Sequence, residues 1–201
     1  AYSPGGSSGG DSAAIASGFA SFGIAADAGG SVRVPANFCG LFGVFPTIGT
    51  VPETGQSSSA HAIMQLLRGN GFMCRHARDC ELLLRIFSSY NNDPRSISFP
   101  IHHYPTLSGN KKKIGFFTKL NGVQCDSEIE NTLKNALRKF EHTGFEIKEV
   151  PTKIFEGSYE IFIILAGQAA LLIEDMLATQ KGTPRDFSKE GQLLKNLRHR
   201  I

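Results

Sequence analysis

Gly5-Gly6-Ser7-Ser8-Gly9-Gly10, and further on Asp27-Ala28-Gly29-Gly30-Ser31-Val32-Arg33-Val34-Pro35-Ala36, are the stretches of this 201-residue chain whose reading decides the fold. Ser31 stands 24 residues after Ser7. The first 55 residues hold 12 of the 22 glycines, and the first 60 hold only four charged side chains, Asp11, Asp27, Arg33 and Glu53. A flexible linker has that composition, but a linker does not carry Ile15, Phe19, Phe22, Ile24, Phe38, Leu41 and Phe42 among its glycines. Glycines set between core formers imply a buried backbone that packs closely and turns sharply.

A glycine pair before a serine lets backbone N–H groups converge on one point, because no Cβ blocks an approaching oxygen. An oxyanion hole needs that arrangement. Spacing alone leaves a phosphate-binding loop or a plain Gly-Ser turn open as well. Gly6-Ser7-Ser8-Gly9-Gly10 also matches Gly-x-Ser-x-Gly, which would make Ser8 the nucleophile of a hydrolase elbow. That elbow needs an apolar strand before it, and Pro4 argues against one. Neither a Walker A sequence nor Gly-x-Gly-x-x-Gly occurs.

Outward from these loops, hydrophobic residues at 41% suffice for a core and exclude wholesale disorder. A net charge of +3 is too balanced for a protein that binds nucleic acid mainly by neutralising phosphates. The longest apolar run, residues 161–173, is interrupted by Gly167 and Gln168 and is too short to span a membrane. Cys39, Cys74, Cys80 and Cys125 show no Cys-x-x-Cys pair and no histidine at metal-ligand spacing. They are expected to be reduced, buried thiols of a protein in a reducing compartment. Of the histidines, His102 and His103 fall in a polar loop and His61, His76, His142 and His199 are scattered, so solvated surface positions are expected. Lys111-Lys112-Lys113 reads as a solvated strand edge.

The spacing predicts a short buried helix over 11–22, a strand at 23–26, a second short helix or turn over 32–38, a strand at 41–45 ended by Pro46, and loop over 47–59. Residues 75–89 read as an amphipathic helix and 91–112 as a surface connection. A strand at 114–117, a helix over 127–143 and a strand at 145–150 follow. The helix is expected to open on a Ser127-x-x-Glu130 capping box and to stop at Gly144. A long apolar helix covers 154–178. Strand–helix–strand order over 114–150 predicts an α/β fold with parallel pairing. Both ends read as truncations: the glycine motif begins within five residues of Ala1, and the last residues keep a helical pattern without a stop signal.

The residue strings go further than spacing. Ser3-Pro4-Gly5-Gly6-Ser7-Ser8-Gly9-Gly10, the Asp27 to Ala36 string and Cys39-Gly40-Leu41-Phe42-Gly43 together strongly resemble the amidase signature family of serine hydrolases. The resemblance is dense over 1–55 and thinner over 71–90. Gly71-Phe72-Met73-Cys74-Arg75 looks most like the fatty-acid amide hydrolase 2 branch. It implies an α/β/α layered fold around a mixed, largely parallel sheet, incomplete at both ends. Residues 1–201 would be one partial amidase domain, with a signature region at 1–55 and a peripheral α/β region at 71–201.

The resemblance also implies a Ser–Ser–Lys arrangement. Ser31 would be the nucleophile that forms the acyl ester. Ser7, after a cis peptide bond, would relay protons between Ser31 and a neutral lysine. Backbone N–H groups of Ala28, Gly29, Gly30 and Ser31 would hold the oxyanion, with Ser8, Asp27 and Arg33 supporting the loop. No metal or organic cofactor is implied. The substrate would be a small-molecule amide, with lipid amides as one candidate class, and no nucleic acid is expected. Any membrane anchor would lie upstream of Ala1, and the oligomeric state is left open.

Two departures stand out. The family's catalytic lysine lies upstream of the motif, and this chain has no lysine before Lys111, so the chain alone is expected to be inactive. Where the family often carries Lys-Pro, this sequence has Phe45-Pro46, a change that bears on packing. Two other readings stay open: a glutaminyl-tRNA amidotransferase A-type subunit, working with partner subunits, and a catalytically dead interaction module that keeps the fold.

Overall fold

The computed structural model describes residues 2–54, 67–88, 93, 96 and 112–180. Contacts divide the chain into two compact units, one of Ala1–Ile101 with Ala166–Ile201 and one of His102–Leu165.

In the first unit α1 (Gly9–Ala16) leads into β1 (Phe22–Asp27), α2 (Arg33–Phe38), β2 (Phe42–Val44), β3 (Gly69–Cys74) and α3 (Ala77–Ser88). The sheet order is β1-β3-β2, with both neighbours antiparallel to β3, so β1 and β2 run the same way on either side of it. Alternate residues of β3 face opposite layers. Met73 packs with Ile15 of α1, Ala25 of β1, and Val32 and Ala36 at α2. Phe72 and Cys74 pack with Val51 and with Cys80 and Leu83 of α3. Helices therefore cover the sheet on both faces, which is the expected α/β/α layering.

Three differences from expectation have local causes. The first helix ends at Ala16 rather than running to 22, because Gly18 turns the chain in the left-handed region at φ +82°. Phe19, expected on its buried face, is consequently exposed. β3 is a strand that periodicity does not reveal: buried at every position, it has no polar face to alternate with, and two of its residues are glycines. Gly71 is required there, since a Cβ on it would collide with the Val44 carbonyl oxygen of β2. Arg75 then ties the end of β3 back to the first helix by donating from Nη1 to the carbonyls of Ile15 (2.7 Å) and Ala20 (2.6 Å).

The second unit holds β4 (Lys113–Phe116), β5 (Lys119–Leu120), β6 (Val123–Gln124), α4 (Ser127–His142), β7 (Glu146–Glu149) and a 3-10 turn, Thr152–Phe155. The long last helix, α5 (Ser158–Gln180), begins in this unit and starts four residues later than its apolar run suggests. β4 and β7 pair in parallel across the α4 crossover, as the strand–helix–strand order predicts. Among the described residues this is the parallel pair of the mixed fold; the β1-β3-β2 ladders and the β5–β6 hairpin are antiparallel. That hairpin turns on Asn121 and Gly122, both at positive φ. The capping box does not form: Asp126, not Ser127, is the cap, and its Oδ1 accepts the Glu128 N–H at 2.8 Å. Ser127 is the first helical residue, and Glu130 turns instead to Lys134 and Gln124. Gly144, at φ +91°, ends the helix as expected. No described helix is long and apolar enough to cross a membrane.

The loop expected at 47–59 is described only to residue 54, and most of the 91–112 connection, with Lys111, His61, His102, His103 and His199, lies outside the described residues.

Candidate active site

The Ser31 loop leaves the sheet at Asp27, the last residue of β1, and enters α2 at Arg33. Asp27 is fully buried, and a buried carboxylate persists only when its oxygens are satisfied. Here they are saturated. Oδ1 accepts the Gly30 N–H at 2.7 Å and Arg33 Nη2 at 2.9 Å. Oδ2 accepts the N–H groups of Val32 (3.0 Å) and Arg33 (3.3 Å) and Arg33 Nε at 3.0 Å. Burial pushes the Asp27 pKa up from its ordinary value of 3.8, but the Arg33 bond and the N–H donors of Val32, Gly30 and Arg33 outweigh it and hold it down at about 2. The same contact with Asp27 raises the Arg33 pKa against the opposing effect of burial.

Wrapping three N–H groups onto one carboxylate makes the loop curl. Gly30 takes φ +111°, and a Cβ there would stand 2.8 Å from Val34 Cγ2. Its carbonyl accepts the Val34 N–H at 2.7 Å and so starts the helical turn beyond Ser31. None of the bonds to Asp27 uses the N–H of Ala28, Gly29 or Ser31. The Gly30 N–H, expected to face the oxyanion, points to Asp27 instead.

The other serine loop is held against this one. The Gly6–Ser7 peptide is cis. Immediately after it, the N–H of Ser8 donates to the Ser31 carbonyl at 3.2 Å, which joins the two loops next to both candidate catalytic serines. Ser7 is exposed, Ser31 half-buried and Ser8 buried. Ser8 makes the contact between the loops through its backbone N–H.

Two side chains at this site are not among the predicted site residues. Ser12, fully buried on α1, places its hydroxyl 3.0 Å from the Gly9 carbonyl and 3.4 Å from that of Pro4, at both ends of the Ser7 turn. The Cys39 thiol meets it at 3.4 Å. Phe45 lies under the Arg33 guanidinium, with 5.1 Å between the Arg33 Cζ and the ring centroid. A hydroxyl among the alanines of a buried helix was the one hint for Ser12.

All four cysteines are free, but only Cys74 and Cys80 are buried; Cys39 is half-buried and Cys125 exposed. Burial, reinforced by the neighbouring Cys80 thiol, pushes Cys74 up to about 12, so this pair consists of inert thiols. His76 and His142 are exposed, and no described histidine bonds to a serine. Among the described residues there is no cluster of three potential metal ligands.

A family model described as Amidase matches residues 1–200. The chain is 39% identical over 157 residues to a glutamyl-tRNA(Gln) amidotransferase A-type subunit of Moraxella catarrhalis, covering 73% of this chain and 31% of that protein. It is 32% identical over 192 residues to the corresponding protein of Methanosarcina acetivorans, covering 94% of this chain and 39% of that protein. It thus spans about a third of the length of the curated relatives it matches. Among solved structures, a fatty acid amide hydrolase superposes with TM-score 0.72 at 25% identity, over 85% of this chain and 32% of that one. A bacterial aryl acylamidase of the amidase signature family superposes with TM-score 0.68 at 26% identity, over 96% of this chain and 41% of that one. With nearly every residue matched and the paired serine loops built as described, this chain belongs to the amidase family.

Proposed function

We propose that residues 1–201 form part of one amidase domain, the portion that supplies the nucleophile and its oxyanion hole to a serine hydrolase of carboxylic amides. The observation that carries this reading is the bond from Ser8 N–H to the Ser31 carbonyl, which sets the Ser7 turn beside a Ser31 loop already fixed by Asp27. Ser31 Oγ attacks the amide carbon, and the carbonyl electron pair moves to oxygen. The Ser31 proton passes to Ser7 as Ser7 gives its own to a neutral lysine. The N–H groups of Ala28, Gly29 and Ser31 receive the oxyanion. Gly30, whose N–H holds Asp27, contributes by turning the Ser31 peptide toward it. The tetrahedral species collapses, Ser7 protonates the leaving amine as the lysine returns its proton to Ser7, and water, deprotonated by the same relay, attacks the acyl ester and releases the acid with Ser31 reprotonated. The lysine would belong to the parent protein N-terminal to Ser7, so the 201-residue chain alone should hydrolyse nothing.

In the full-length protein, Ser31→Ala should abolish covalent labelling by a fluorophosphonate probe. Labelling that persists in that variant, or is lost only with Ser8→Ala, would overturn the assignment. A full-length protein that never labels would support the dead interaction module instead.

Substrate class has two readings. The fold match to a fatty acid amide hydrolase supports lipid amides. The relatives at 39% and 32% identity support an amidotransferase A-type subunit, working on a glutamine side-chain amide with partner subunits. Release of ammonia from glutamine only when partner subunits are present would select the second. Hydrolysis of a long-chain amide by the protein alone would select the first.

A further inference from the structure

We propose that Phe45 is a positioning residue for the Ser31 loop, its ring forming the platform that keeps the Arg33 guanidinium seated on Asp27. The two partners of that ion pair are unequally protected. The Asp27 side chain is 0% exposed, whereas that of Arg33 is 51% exposed, so water competes for the guanidinium and not for the carboxylate. An exposed ion pair contributes little by itself. Something must hold the Arg33 side chain down if it is to brace a loop.

A guanidinium is planar, with donors on its edge and two faces free. Arg33 spends its edge on Asp27 through Nε and Nη2. Its Cζ lies over the Phe45 ring, 5.1 Å from the centroid, within the range where ring quadrupole and cation attract. The bonds to Asp27 use Nε and Nη2, so they do not compete with the attraction between the ring and the delocalised charge.

The ring is itself fixed. Phe45 directly follows β2 and precedes Pro46. Its Cε2 lies 3.1 Å from where a Cβ on Gly69 would stand, so the ring occupies the space that a side chain there would need. Gly69 in turn is the residue of β3 paired with Asp27 in the ladder. Asp27, Gly69, Phe45 and Arg33 close a circuit that returns to the carboxylate gripping the nucleophile loop. A lysine in place of Phe45 would remove the face and add a like charge beside Arg33.

The test replaces Phe45 in the full-length protein by mono-, di- and trifluorophenylalanine, which keep the ring's shape and progressively cancel its quadrupole. The rate of fluorophosphonate labelling should fall stepwise with fluorine count, about two- to fivefold in total for a half-exposed cation–π contact, while Phe45→Tyr keeps the parent rate. A rate that is flat across the series, with the parent protein labelling normally, overturns the proposal.

That readout rests on Ser31 being the nucleophile, so a second one stands apart from it. The fluorine resonance of the monofluorinated ring should shift when Arg33→Lys removes the planar face but keeps the charge. If the parent protein does not label at all, the hydrolase reading fails, and the resonance alone decides the platform: a shift sustains it, and an unmoved line overturns it.

Discussion

The first 54 residues and residues 112–165 are of similar length, yet one carries four charged side chains and the other sixteen. They reach a fold by different routes. In the second, α4 is an amphipathic helix whose ion pair, Glu130 with Lys134, lies on the surface one turn apart. Leu137 is the buried hydrophobic side chain of that helix, and β4 alternates exposed with half-buried residues. In the first, close approach of backbone to backbone sets the geometry, and charge appears as one buried carboxylate with five donors on it. Periodic patterning tolerates change at many positions, whereas close approach tolerates it at few.

Three substitutions sharpen that contrast, the first at the β3 glycine that packs against β2 of the first region. Gly71→Ala should be the most damaging, because its methyl would meet the Val44 carbonyl oxygen, part of the sheet, with no side chain free to move aside. A loss of about 3 kcal/mol or more in urea unfolding is expected. A loss well below this would mean that β2 and β3 separate easily.

Asp27→Asn comes next, at about 2 kcal/mol, less than a fully buried pair would cost because Arg33 is half exposed. It should also change the acid limb. Asp27 has a folded pKa of about 2, below its ordinary 3.8, so its contribution is fully present above the ordinary value and is lost as pH falls through about 2. In the variant that part of the stability–pH profile should flatten; an unchanged acid limb would remove Asp27 from the account. The smallest effect is expected for Lys134→Ala, on a solvated pair, where thermal unfolding should not detect a change. A measurable loss there would show that the second region also depends on specific contacts.

The same difference explains how much of each region the sequence made legible. α4 is plain from Ile129, Leu133, Leu137 and Phe140 at helical spacing, and only its cap is displaced by one residue, because Asp126 competes with Ser127 for the same N–H groups. The β5–β6 hairpin carries its own signal in Asn121-Gly122, though its strands are two residues each and too short to alternate. β3 has no legible period, since burial on both faces erases it. At the site, Ser7, Ser31, Asp27 and Arg33 stand out as a string. Ser12 and Phe45 do not, because a hydroxyl reaching two carbonyls and a ring under a guanidinium depend on where the chain returns, and local residue type does not encode that.

The convergence of the Gly30, Val32 and Arg33 amides on the buried Asp27 carboxylate also governs how this loop meets solvent over time. Although it lies outside regular secondary structure, each of these amides can exchange its hydrogen with water only when the carboxylate lets go. One opening event then exposes all three, and their protection should rise and fall together with that of β1, making the Ser31 loop part of the sheet's own cooperative unit rather than a mobile connection.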